Sequence, residues 1–161
     1  MRTPAFVVVL SAIFTVTGCA SGDGSDDAGH DHHPSDAGDA TGSCAPNGAP
    51  EVTFESGRVL TFTTDPSPMP LNALFTMAVT VAPESGGTLP AGLVLDVDAT
   101  MPAHGHGMNT TPVVESSVNG SFSVSGMQLH MPGTWRFAFE VTESATSTII
   151  DDGDLTVACA E

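Results

Sequence analysis

From position 51 onward, apolar and polar residues alternate in short runs separated by Gly, Pro, Asn and Asp. Successive side chains of a β-strand point to opposite faces, so a period of two puts one face in a core and the other in water. Phe75, Met77, Val79 and Val81 alternate with Thr76, Ala78 and Thr80. Leu93, Leu95 and Val97 alternate with Val94, Asp96 and Asp98, and Phe122 and Val124 with Ser121, Ser123 and Ser125. Trp135, Phe137, Phe139 and Val141 alternate with Thr134, Arg136, Ala138 and Glu140. Residues 59–63 form another run after a Ser56-Gly57 turn, and Leu155 and Val157 lead up to Cys159. Asn119-Gly120 reads as a hairpin turn between 113–118 and 121–125. Asp152-Gly153 reads as a second turn. No window carries a convincing helical period. About seven short strands in roughly 110 residues predict an all-β fold, an antiparallel β-sandwich of immunoglobulin-like type.

The beginning of the chain has a different texture. Arg2 precedes an apolar stretch over 5–16, followed by the small residues Thr17 and Gly18. This order is that of a cleavable secretory signal, and the stretch is short of the roughly 20 residues that span a bilayer. Val16-Thr17-Gly18-Cys19 resembles the bacterial lipobox, in which the cysteine is acylated and becomes the mature N-terminus. The resemblance implies a protein of the cell envelope, held to a lipid bilayer through Cys19. Ala20, in place of Asp, points to the outer membrane, facing the periplasm or the cell surface. The expected organisation is a signal peptide over 1–18, a lipid-anchored acidic linker over 19–50 and a sandwich domain over 51–161. Residues 20–50 contain no large apolar side chain and so cannot bury enough surface to offset the entropy of ordering.

Three cysteines constrain the rest. With Cys19 assigned to lipid, Cys44 and Cys159 remain as an even pair bracketing the domain, in a compartment where disulfides persist. A Cys44–Cys159 bridge is expected; the alternative is two free thiols. Lys and Arg total 3 against 19 Asp and Glu, which argues against nucleic acid as a partner.

Two segments carry ligand-type side chains. His30, Asp31, His32 and His33 lie in the linker, and are either a weak metal-binding tract or a polar spacer. Met101-Pro-Ala-His104-Gly-His106-Gly-Met108 interrupts the strand pattern, and His130-Met131 follows later. Thioether sulfur suits Cu(I), and imidazole accepts either copper oxidation state. A Met/His set can therefore hold copper where thiolates would oxidise. A blue-copper centre requires a Cys ligand, and none lies near these histidines. If extended, His104, His106 and Met108 share a face, and Met101 joins them only through a turn at Pro102. Each methionine is equally readable as core filler. No nucleophile elbow, zinc-protease motif or phosphate loop is present, so no enzymatic activity is expected.

The Met101–Met108 block, then Gly120-Ser-Phe-Ser-Val-Ser-Gly-Met127, then Met131-Pro-Gly-Thr-Trp135, resembles the YtkA-like domain family over about residues 52–142. Met101, His106 and Met108 match its first block, and Met131, Gly133 and Trp135 its second. The resemblance implies an immunoglobulin-like sandwich in an exported bacterial protein, with some relatives found beside copper-handling or oxidase-assembly systems. The expected function is copper binding by some of Met101, His104, His106, Met108, His130 and Met131, for buffering or for delivery to a copper-receiving envelope protein. The alternative is a structural or protein-interaction domain without metal.

Overall fold

The structure, a computed structural model, describes residues 42–116 and 120–161. The expected signal segment, Cys19, the linker through residue 41 with its histidines, and Asn119 of the expected hairpin turn lie outside the described residues.

Alternation in sequence becomes alternation in burial. Along β5 (Leu74–Ala82) every second residue is buried, and the same holds through most of β6 (Leu93–Met101) and β10 (Gly133–Glu143). The seven expected strands are β3 (Val59–Asp65), β5, β6, β8 (Val113–Ser116), β9 (Ser121–Gln128), β10 and β11 (Thr148–Ala160). Four short strands join them: β1 (Ser43–Pro46), β2 (Glu51–Thr53), β4 (Met69–Pro70) and β7 (His106–Gly107). They form two sheets, ordered β4-β1-β11-β10-β6-β7 and β2-β3-β5-β9-β8, and every named strand pairing is antiparallel. The inward rows of both sheets merge into one core, with Phe62 of β3 lying 6.3 Å from Phe137 and 6.0 Å from Phe139 of β10, centroid to centroid. Trp135, Phe137, Val141, Val124 and Leu60 are fully buried.

The first sheet begins ahead of the expected boundary at Glu51. Ser43–Pro46 pair with the end of β11, so these residues are strand and not tether. Cys44 sits directly opposite Cys159, and the two are disulfide-bonded.

Asp152-Gly153 is not a turn. Both residues lie inside β11, where Gly153 pairs with Phe139 and Asp152 with Glu140. The chain reverses earlier, over 144–147. Glycine at 153 serves close packing instead, since a Cβ there would lie 2.6 Å from Val52 Cγ1 and 3.3 Å from the Phe54 ring. Gly153→Ala therefore forces the two sheets apart locally, at an expected cost of about 1–3 kcal/mol in urea unfolding. An unchanged midpoint would show that β11 has room there.

A bulge shapes β9. Phe75 pairs with Met127 but Met77 with Val124, so β9 carries an extra residue at this point, and Gly126 adopts φ 77°. The extra residue shifts the parity of the inward row from Phe122 and Val124 to Met127 and Leu129. It thereby sets how the chain leaves the sheet just before His130.

Outward-facing Asp96, Asp98, Glu140, Asp152 and Asp154 surround Arg136 on the solvent side of the first sheet. The hydrogen bond that Arg136 donates to Asp154, and then the charge of that carboxylate, raise the guanidinium above its ordinary pKa.

Candidate metal centre

The Met/His block is a hairpin and not an extended segment. Residues 102–105 form a turn between β6 and β7, with Gly105 at φ 69°. The backbone N–H groups of His104 and Gly105 both donate to the Met101 carbonyl at 3.0 Å. The turn sets Met101 directly opposite His106. Directly opposed residues share a sheet face, so the turn at Pro102 does bring Met101 to the side of His106. Met101 is only 1% exposed and belongs to the core. Gly133 makes room for it, because a Cβ there would sit 2.9 Å from Met101 Cε.

The second segment arrives from the other sheet. His130 and Met131 lie in the connection from β9 to β10. The Trp135 indole N–H donates to the Met131 carbonyl at 3.0 Å, which ties this connection to the start of β10. As a result His130 meets His106. Their ring centroids are 5.3 Å apart, and both rings stand edge-to-face with Trp135, at 5.3 Å for His130 and 6.1 Å for His106. His104 follows on the outer side, 5.7 Å from His106. Met108 and Met131 are half-buried and pack against the core.

The hydrogen bonding of the two inner rings differs. His106 Nδ1 lies 3.2 Å from the Gly107 carbonyl. In the neutral ring this contact places the proton on Nδ1 and leaves the Nε2 lone pair available. His130 Nδ1 is buried and has no hydrogen-bond partner. Thr110 Oγ1, two residues after Met108, is the other buried side-chain polar atom without a partner among the described residues. Buried polar atoms in folded proteins are nearly always satisfied, and an orphan calls for a bound species or a specific role. Metal–nitrogen bonds of about 2.0 Å to two imidazoles at a tetrahedral angle place the ring centroids roughly 5 Å apart. The His106–His130 separation of 5.3 Å fits that spacing.

Among the described residues, no group of three or more His, Cys, Asp or Glu side chains is placed to hold a metal. The three histidines thus form a row and not a closed trio. Two neighbouring imidazoles lie at this end, and Met108 and Met131, close to them in the chain, pack against the core. Two imidazoles fall short of the four ligands of a structural zinc site.

Trp135 lies in the core, as its place in the alternating row predicts. Its position against both imidazoles has no signal in the sequence beyond the five residues that separate it from His130. No protein-family model and no curated protein matches the chain.

Proposed function

We propose that the chain is a lipid-anchored lipoprotein of the cell envelope whose sandwich binds copper through its Met/His end, for buffering or for delivery. The single observation carrying this reading is the pairing of His106 with His130 against Trp135, with a buried His130 Nδ1 that lacks a partner. Met108 and Met131, close in the chain to His106 and His130, are the candidate soft donors that would favour Cu(I). His104, exposed on the turn, and Met101, in the core, flank the pair. The lipobox-like Val16–Cys19 segment and the YtkA-like blocks support export and the family assignment.

Copper uptake is testable by anaerobic competition with a chromogenic Cu(I) chelator, using the exported chain in detergent with His30, His32 and His33 changed to Ala. That background removes the linker tract as a rival site. The expected result is about one Cu(I) per chain, with affinity falling at least about tenfold for His106→Ala and for His130→Ala, while circular dichroism stays unchanged. No uptake, or uptake indifferent to both substitutions, would discard the reading.

A second reading, a metal-free envelope docking domain, rests on a different place. A groove of about 400 Å³ is lined by Pro46, Pro50, Phe62, Pro68 and Met69 among others. Capture of one envelope protein by metal-free chain, abolished by a charge placed in the groove, would favour it.

A further inference from the structure

The imidazoles differ in exposure, the inner pair half-buried and His104 exposed, and the difference bears on how copper would leave. This step rests on the copper reading above. His130 is half-buried, with Nδ1 sealed from solvent. His106 is half-buried, and His104 is exposed. The spacings are 5.3 Å and then 5.7 Å, so each ring neighbours the next. The turn carrying His104 is pinned through its backbone to the Met101 carbonyl. Its tip is open, since a Cβ on Gly105 would meet nothing within 4 Å, and Pro102 and Ala103 are exposed. Among the described residues, nothing stands over the turn tip that a partner approaching His104 would have to displace.

We infer that His104 is the exchange ligand of this site, passing Cu(I) between the His106/His130 pair and a soft-ligand site, thioether or imidazole, on a partner protein. The ion remains Cu(I) and no electron moves. A Cu–N bond to His104 forms as one bond to the inner pair breaks, the partner's first donor then replaces His104, and its second donor replaces the remaining inner imidazole. One bond is exchanged at a time, so the ion is never released bare. The inner pair alone, set against Trp135 and the core, offers an incoming ligand no such intermediate.

Trp135 provides the readout. It is the only tryptophan, and the chain has no tyrosine. Its emission therefore reports on the inner pair. In the background lacking the linker histidines, the chain is loaded with one equivalent of Cu(I). It is then mixed anaerobically in stopped flow with excess bathocuproine disulfonate, following chelator absorbance and Trp135 emission. The expected result is that His104→Ala slows copper removal about tenfold, with a smaller change in equilibrium affinity, about threefold or less, and that His104→Met restores the rate. Two results would overturn the inference while leaving the copper reading intact. One is an unchanged removal rate. The other is an affinity loss as deep as that of His106→Ala, which would make His104 an ordinary ligand. Failure of the parent chain to take up Cu(I) would overturn the copper reading itself.

Discussion

Replacing both Cys44 and Cys159 by Ala is expected to remove about 2–5 kcal/mol of unfolding free energy, and on the order of 10–25 °C in Tm. The bridge spans a sequence separation of 115 residues, so its removal frees a large part of the unfolded chain. The chain-entropy model puts that gain at about 4–5 kcal/mol for a loop of this size. The effect is also local. Cys44 and Cys159 face each other across the β1–β11 ladder, and Cys159 is in turn opposite Gly133 at the start of β10. The bridge thus secures an end of the first sheet that adjoins Met131 and Trp135. Urea unfolding of the oxidised protein against the double variant measures the loss, and a difference under about 1 kcal/mol would mean that the strand pairing alone holds this end.

Arg58→Ala is expected to cost about 3–5 kcal/mol, as the loss of one partner of a buried ion pair does. Arg58 precedes β3 in one sheet, and Asp151 lies near the start of β11 in the other. The guanidinium donates through Nε to the Asp151 carboxylate and through a second nitrogen to the Ile150 carbonyl at 3.2 Å. The Asp151 side chain is 1% exposed and that of Arg58 19%. Without Arg58 the carboxylate stays buried with no counter-charge, and its desolvation is uncompensated. The double variant Arg58→Met with Asp151→Leu removes both charges, and so should recover most of the loss. A single variant as stable as the parent, in the same urea titration, would show that water takes over the role of Arg58. The disulfide and this pair hold β11 at its opposite ends, one to its own sheet and the other across to the facing sheet.

Strand identity was legible because burial repeats with the same period as the pleat. Phe75 through Val81 and Trp135 through Val141 announce their inward rows residue by residue. The Cys44–Cys159 pairing was legible by elimination. What misled was glycine chemistry. Asp152-Gly153 has the composition of a turn, yet Gly153 is a strand residue that lets Val52 and Phe54 pack close, and only the facing sheet reveals that. The short strand β1 has the composition of a linker, since Ser43-Cys44-Ala45-Pro46 has no apolar alternation; its pairing with β11 supplies what its composition does not. Nothing in the sequence pairs Arg58 with Asp151, which lie 93 residues apart.

The site divides along the same line. Its candidate ligand types are visible in the sequence, and so is the need for a turn at Pro102 to bring Met101 to them. That His130 reaches His106 was not visible, because the contact depends on the β9 bulge at Gly126 and on the Met131–Trp135 hydrogen bond. Both are tertiary facts about how β9 crosses to β10.

The most direct measurement is long-range ¹⁵N–¹H correlation of the imidazole rings during an anaerobic Cu(I) titration. Binding by the His106/His130 pair predicts that His106 Nε2 and His130 Nδ1 shift together and saturate at about one equivalent, with quenching of Trp135 in step. Saturation with both nitrogens unmoved, or a response confined to His104, would contradict a copper centre at this end of the sandwich.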